Sequence, residues 1–362
     1  MNNDLKYWVA LSTNLNIGAR TFQKLNSRFE TMEEVWKADK QKFIDHGYDQ
    51  KIIHNVFETR ANKDPDEEMR KLTKFNVKAI TVKDKNYPNI LKEISDPPAL
   101  LYIKGDFYPQ DELAIAVVGS RKYSPYGEQA TEKIVAPLAQ AGLTIVSGLA
   151  LGVDSIAHRT TLNNNGRTIA VLGNGLDTVY PETNRYLAKK ILDNNGALIS
   201  EFPIGTPSFK FNFPFRNRII AGLSLGVLVI EAAIESGSLI TARCALDYNR
   251  EVFAVPGSIF NEMSQGPNNL IKMGAKTVLG ADDVLNELNI SNRSLHQKAK
   301  QIIADTKEEK IILDILLKGQ ADIDKLVEES KIDIIKLNQS IVMMEMKGKI
   351  RNLGGNQYVI NK

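Results

Sequence analysis

Between Leu113 and Val255 short apolar, β-branched runs recur: Ala114–Val118, Thr144–Val146, Thr168–Leu172, Ala197–Ile199, Val227–Ile230 and Val252–Val255. Each is followed by a glycine turn, and helix-length segments separate one run from the next. Runs without polar alternation are strands buried on both faces, and their alternation with helices predicts a parallel, doubly wound α/β sheet. Right-handed crossovers bring the carboxyl ends of such strands to one edge, where ligands bind.

The flanks follow other periods. Residues 1–70 read as a small helical domain of the SAM-like or helix-hairpin-helix-like kind, with helices from Leu5 to Leu11, Thr21 to Phe29 and Gln50 to Arg60. Thr31 with Glu34 three places on is a capping-box pattern, and Lys63 to Pro65 reads as the end of the helical segment. Such a module either packs against a neighbour or grips a DNA backbone through its glycine turn, Asn16 to Arg20. Residues 71–112 read as an extended, proline-marked connector with short strands at Lys78–Val82 and Leu100–Lys104. The sheet domain then runs over 113–288, and a polar linker over 289–306. In 307–362, three amphipathic helices precede a Gly354-Gly355 hairpin, which resembles a winged helix. Its second and third helices carry Asp322, Asp324, Glu328, Glu329 and Asp333, which repel phosphate, so a protein-contact wing competes with a duplex-DNA reader.

Composition narrows the class. The chain has 362 residues, too many for one ordinary domain, and its 43% hydrophobic and 25% charged content is that of a soluble globular protein. A net charge of +3 is mild, so any polyanion site has to come from local clustering. One cysteine, Cys244, excludes an internal disulfide framework and a cysteine-rich metal site. With neither a signal-peptide pattern nor an apolar membrane span in the sequence, a soluble cytoplasmic protein is expected.

Candidate chemistry gathers in the loops. In Ser208–Ser224, Lys210, Arg216 and Arg218 interleave with Phe209, Phe211, Phe213 and Phe215, and an apolar helix is expected from Ile219. Cations pair with phosphates and rings stack on unpaired bases, so the run fits single-stranded nucleic acid; it equally fits a loop pinning phenylalanines into the core. Gly119, Ser120 and Arg121 follow the first strand and precede a helix entered at Ser124-Pro125, an anion site in form or a plain turn with a solvated arginine. Ser236, Gly237 and Ser238 put small donors at another helix start, and Lys272 lies beyond the last strand. These turns and cations converge on one sheet edge, and the neighbouring phenylalanines favour an oligonucleotide over a mononucleotide.

Other chemistries fit less well. The second and third strands end in SGLALGVD and GNGLD, and neither completes G-x-G-x-x-G with a ribose-binding acid; no G-x-x-x-x-G-K-[ST] occurs. No cofactor is therefore expected. Ser147 is not in G-x-S-x-G, His158 lies in the helical pattern VDSIAHRTTL, and the four histidines lack metal-ligand spacing. A structural role is expected for His158.

Seven motifs in order, VVGSRKYSPYG, SGLALGVDSIAH, VLGNGLDTVYP, ISEFPIG, FPFRNRIIAGLS, ESGSLITAR and FAVPG, are similar to those of the DprA/Smf family of DNA-processing proteins. The resemblance covers most of Leu113 to Leu288. It implies an extended Rossmann-like domain, usually dimeric, that binds single-stranded DNA in natural transformation without enzymatic activity. It further implies protection of incoming strands and loading of the RecA recombinase past single-strand-binding protein. On the matching positions, the resemblance implies that Gly119, Ser120, Arg121 and the run from Lys210 through Asn217 to Arg218 form the DNA pocket. Arg121, Arg216 and Arg218 would hold phosphates and Phe213 or a neighbouring ring would stack on a base, with Lys272 a weaker candidate. The competing class is a nucleoside-monophosphate glycosidic hydrolase using Glu231 or Glu235, although ESGSLITAR lacks the P-G-G-x-G-T-x-x-E loop of those enzymes.

Overall fold

The computed structural model describes residues 4–290, 306–316, 321–347, 349–352 and 357–360. The expected linker lies, from 291 to 305, outside the described residues, as does the Gly354-Gly355 turn. Two compact units divide the chain, 1–284 and 285–362.

Six helices open the first unit: α1 (Leu5–Ser12), α2 (Ala19–Asn26), α3 (Met32–Lys37), α4 (Lys40–Asp45), α5 (Gln50–Asn62) and α6 (Pro65–Lys74). Short polar caps punctuate them. Asp39, Asp49 and Asp64 accept hydrogen bonds from Lys42 N, Ile52 N and Asp66 N at 2.8–2.9 Å. Thr31 Oγ1 accepts from Glu34 N at 3.1 Å as expected, whereas the Glu34 carboxylate reaches back to Glu30 N. Pro65, read from sequence as the end of the helical segment, instead begins α6, because a proline in the first turn forfeits no helical hydrogen bond.

The sheet follows, with β1 (Lys78–Thr81), α7 (Asn89–Lys92), β2 (Leu100–Lys104), β3 (Ala114–Val118), α8 (Pro125–Gln140), β4 (Thr144–Ser147), α9 (Val153–Asn163) and β5 (Thr168–Leu172). Then come α10 (Arg185–Asp193), β6 (Ala197–Ser200), α11 (Asn212–Gly222), β7 (Gly226–Val229), α12 (Ser238–Asp247), β8 (Glu251–Ala254), α13 (Gln265–Lys272), β9 (Lys276–Thr277) and α14 (Ala281–Glu287). The nine strands run in the order β1-β2-β6-β5-β4-β3-β7-β8-β9. All pairs from β6 to β9 are parallel, and β1 and β2 add an antiparallel edge. The result is a Rossmann-like, doubly wound sheet whose strand order reverses between β3 and β7.

The expected connector is thus part of the sheet. Side chains of β2 alternate: Leu100 and Tyr102 join the core beneath α1–α6, while Leu101 and Ile103 join the core on the other face, with α11 and α12. Tyr102 also hydrogen-bonds Ser12 at 2.6 Å, and Trp8 stacks on Phe22 with ring centroids 5.1 Å apart. The N-terminal helices therefore share a hydrophobic core with the sheet.

The second unit contains helices Lys307–Leu316, Ile323–Ser330 and Ile334–Met346 and a three-stranded sheet ordered β10 (Ala321–Asp322), β12 (Gln357–Ile360), β11 (Ile350–Asn352). Ile312, Leu326, Leu337, Ile341 and Met344 fill its core. This is a winged helix. Two carboxylates read as phosphate-repelling cap its helices: Asp322 accepts from Lys325 N at 2.8 Å and Asp333 from Ile335 N at 3.0 Å. No helix among the described residues is long and apolar enough to cross a membrane.

Candidate nucleic-acid interface

The carboxyl ends of β3 and β7 sit side by side at the point of reversal, and the loops that follow them border a cleft of about 760 Å³. Gly119, Ser120, Arg121, Lys210, Phe213, Arg216, Asn217, Ser236, Gly237 and Ser238 all line it. The structure thus brings together ten residues named from sequence. Two others named with them, Arg218 and Lys272, lie outside the cleft lining.

The turn after β3 is built on a close approach. Ser120 N donates to Glu231 O at 2.6 Å and Ser120 O accepts from Val153 N at 3.2 Å. Gly152 begins α9 at φ +81°, and a Cβ there would meet Ser120 O at 2.2 Å. The Ser120 hydroxyl closes its own turn, donating to Lys122 O at 2.8 Å and accepting from Lys122 N at 3.0 Å. Arg121 and Lys122 are left exposed at the rim.

The helix start that follows is not an open anion site, contrary to the sequence reading. The Glu231 carboxylate, fully buried, fills it by accepting from Ser124 N at 2.8 Å and from Ser124 Oγ at 2.6 Å. A Cβ on Gly127 would lie 2.2 Å from Glu231 Oε2, so the carboxylate needs that glycine beside it. An anion is favourable at a helix N-terminus, and here the chain supplies its own. At α12, by contrast, Gly237 carries no side-chain cap and borders the cleft. Ser236 Oγ and Ser238 Oγ bond one another at 2.7 Å beside it.

The basic and aromatic run also differs from expectation. Its helix starts at Asn212, well before Ile219, because Pro214 sits in the first turn, where proline is tolerated. Residues 213, 216 and 217 then share a face (i, i+3, i+4) and line the cleft. Arg216 is 3% exposed; Nη1 donates to Gly148 O at 2.8 Å and to Val171 O, and Nε to Asn217 Oδ1 at 3.2 Å. Burial pushes its guanidinium down to about 10, with Asp154 opposing and Arg121 adding to the shift, so it stays charged at neutral pH. Burial pushes the Asp154 carboxyl up, while Arg216 and the N–H groups of Ala150 and Gly148 pull it back. Asn217 Nδ2 donates to Gly237 O at 3.1 Å and so ties α11 to the α12 start.

Phe213 sits among charges. The Arg121 and Arg216 guanidinium carbons lie 5.6 and 5.9 Å from its ring centroid, and Tyr180 is 5.4 Å away, tilted by 39°. Tyr180 and Lys122 line the cleft and were not singled out from sequence. Their signal was present, since both stand in the quoted motifs, but nothing in a linear reading sets Tyr180 beside Phe213. Glu235, Glu262 and Asp154 also line the cleft.

Arg218 points to a different role. Its Nη2 donates to Glu201 Oε2 at 2.5 Å and its Nη1 to Asp96 O at 2.5 Å, and it lies 4.5 Å from the Phe215 ring centroid. Burial pushes the Glu201 carboxyl up, and Arg218 pulls it back. His158 is fully buried, with Nδ1 2.6 Å from Thr168 Oγ1, and takes no part in the cleft.

Comparison with known proteins gives a consistent picture. The family model described as "DNA recombination-mediator protein A" matches residues 78–289, and that of the "DprA winged helix domain" matches 296–356. Protein Smf of Escherichia coli (strain K12) is 50% identical over 202 residues, 56% of this chain and 54% of that protein, so the chain spans about half of this relative's length. The X-ray structure of DNA processing protein A from Streptococcus pneumoniae is 36% identical with a TM-score of 0.68, covering 78% of this chain and 97% of that one. DNA processing protein A from Helicobacter pylori, whose structure is described as showing a single-stranded DNA binding mode, is 33% identical with a TM-score of 0.53, over 59% of this chain and 96% of that one.

Two outcomes follow from the buried charges. Arg218→Ala removes the partner of Glu201, whose side chain is 14% exposed, and is expected to lower stability by about 1–3 kcal/mol in urea unfolding. Unchanged stability together with lost single-strand affinity would instead return Arg218 to the interface. Burial also pushes His158 down from 6.5 to about 3. Between those values the unfolded chain binds the extra proton, so this stabilising contribution, complete above pH 6.5, is lost at about 1.4 kcal/mol per unit as pH falls toward 3. His158→Gln should flatten that slope; parallel stability curves for the two proteins would refute it.

Proposed function

The chain belongs to the DprA/Smf family of DNA-processing proteins, and from that membership we propose that it binds single-stranded DNA in the cleft between β3 and β7. The observation that carries this is the Phe213 ring with two guanidinium groups within 6 Å of its centroid, and exposed Arg121, Lys122 and Lys210 on the same cleft. Among the described residues none of these three exposed cations makes an ion pair, so each is available to a phosphate. The start of α12 places the Ser236 and Ser238 hydroxyls on the same cleft. Rings recognise unpaired bases, which a duplex conceals.

In this reading the protein acts in natural transformation without catalysing a reaction, sheltering incoming strands and passing them to the RecA recombinase past single-strand-binding protein. Those partners rest on family membership, and no residue is assigned to them. A homodimer is supported by Ile259, Phe260, Met273 and Leu279, exposed apolar side chains around the β8–β9 edge. The wing reads as a protein-contact unit, since Ile335, Val342, Met343 and Met346 are exposed on its last helix. The glycosidic-hydrolase alternative loses its best carboxylate, because Glu231 is enclosed by Ser124 and outside the cleft lining.

The test is fluorescence anisotropy of a labelled single strand against a matched duplex across a salt series. Strong, salt-sensitive preference for the single strand is expected. Arg121→Ala should weaken binding by about 1–3 kcal/mol and reduce the salt slope by about 0.7. An unchanged affinity and slope would remove the cleft from the interface. Release of free base from a nucleoside monophosphate would revive the hydrolase.

A further inference from the structure

The strand order gives the cleft two unlike ends. On one side of the β3–β7 pair lie β4, β5 and β6, and on the other lie β8 and β9. The loops after β7 and β8 bring Glu235 and Glu262 to the lining. Those after β4, β5 and β6 bring Ala150, Tyr180 and Lys210 instead. The carboxylate that lines this second end, Asp154, is buried and its charge is offset by Arg216. A polyanion held in the cleft is therefore repelled from the first end and drawn over the second.

Tyr180 carries the second end onto the outer face of α9 and α10. With Leu151 and Pro181 it borders a small hollow of about 40 Å³ next to Phe213. Asn184 is buried, and its Nδ2 donates to Leu149 O and to Ser155 Oγ, both at 2.8 Å. These bonds pin the start of α10 against the turn that enters α9. The first residues of α10, Arg185 and Tyr186, thus emerge next to the segment that carries Leu151. Leu151, Tyr180 and Tyr186 are 47%, 44% and 69% exposed, an apolar and aromatic series leading away from the cleft.

Cations interleave with it. Lys190 Nζ lies 4.9 Å from the Tyr186 ring centroid, and Arg185 is exposed, as is Arg159, one turn beyond Ser155 on α9. Among the described residues Arg159, Arg185 and Lys190 make no ion pair. From 178 to 194 the carboxylates are Glu182 and Asp193, and Asp193 is held by Lys189 at 2.5 Å; α9 has only the buried Asp154. Unpaired cations among exposed rings, continuous with the cleft, suit a single strand, since phosphates pair with the first and unpaired bases stack on the second. A duplex would find the cations but offer nothing to the rings.

We propose that the outer face of α9 and α10 continues the path of the bound single strand, with Arg159, Arg185 and Lys190 on its phosphates and Tyr186 under one of its bases; the proposal rests on the single-strand reading given above. None of these four residues stands in the seven sequence motifs. Because every base has a face that a ring can cover, the track accepts any sequence.

Strand length separates the track from the cleft. The full chain is titrated, by fluorescence anisotropy across a salt series, with dT strands of about 6 and about 25 nucleotides. Tyr186→Ala should weaken the long strand about 5- to 100-fold and leave the short one as it is. Arg159→Ala combined with Arg185→Ala should reduce the salt slope of the long strand by about 1.4, again sparing the short one. Arg121→Ala, in the cleft, should weaken both. Equal loss at the two lengths in Tyr186→Ala would place that ring in the cleft's own site, and no loss at either would put the rest of the strand elsewhere. Each result overturns the track and leaves the single-strand reading standing. So does an arginine pair that matters as much for a duplex as for the long strand while Tyr186→Ala is silent, which marks a surface for phosphate alone. Failure of wild type to bind any strand, or indifference to Arg121→Ala, would overturn the single-strand reading and the track with it.

Discussion

The cleft depends on one buried carboxylate. Glu231 leaves the end of β7, its carbonyl receives Ser120 N, and its side chain is turned under the first turn of α8 against Ser124 and Gly127. Those contacts join the two halves of the doubly wound sheet at the point where the strand order reverses. Isolated, a buried carboxylate would be costly; a helix N-terminus and two hydrogen bonds from Ser124 make it stable there. The consequence is a division of labour among helix starts. That of α8 is closed by the chain's own charge, and that of α12 is closed by neutral partners, Ser236 Oγ and the Ser236 carbonyl, and borders the cleft. With the α8 start occupied, the turn after β3 contributes its exposed cations, Arg121 and Lys122, more than its backbone donors.

Helical geometry sorts the FPFRNR segment. At about 100° per residue, Phe213, Arg216 and Asn217 fall within one arc, and Phe215 and Arg218 fall on the opposite side. Two arginines separated by one residue consequently do unlike things. Arg216 is drawn down into the carbonyls of Gly148 and Val171 beside Asp154, and Arg218 is locked to Glu201. A buried guanidinium of this kind is a fixed positive potential beside the ring of Phe213, and the exposed cations Arg121, Lys122 and Lys210 border the same cleft. Fixed charge of that sort needs no reordering when an anion arrives.

Much of this was legible in the sequence, for identifiable reasons. Strands buried on both faces, such as Ala114–Val118 and Thr168–Leu172, lack polar alternation, so the parallel sheet and its ligand-binding edge could be read directly. The antiparallel edge was harder. Leu100–Lys104 was read as a strand, but its pairing with β6 depends on long-range register that no local pattern carries. The start of α11 was misjudged because an aromatic, proline-containing run has little helix propensity and is held helical by its contacts, among them Asn212 Nδ2 on Gly173 O. Glu231 posed a different problem. A carboxylate in a glycine- and serine-rich loop has the same appearance whether it caps a helix or attacks a substrate, and only its burial against Ser124 separates the two. Tyr180 stands in a loop distant in sequence from Phe213, so their meeting is visible only in three dimensions.

The balance of charge and rings in the cleft bears on how selectivity for a single strand could arise. The chain carries 46 basic and 43 acidic residues, so little long-range field is available and the strand has to be held locally. Three exposed cations border the cleft, and if each met one phosphate the salt slope would be only about −2. Glu235 and Glu262 on the same cleft reduce the attraction further. Charge of this amount attracts single and double strands alike and discriminates poorly between them. Stacking has the opposite character, being insensitive to salt and accessible only to an unpaired base. In the proposed role, then, Phe213 and its neighbour Tyr180 would supply the discrimination, while Arg121, Lys122 and Lys210 supply the encounter. The exposed cations would then set the rate of encounter and its salt dependence, and the rings the lifetime of the complex and its preference for unpaired DNA.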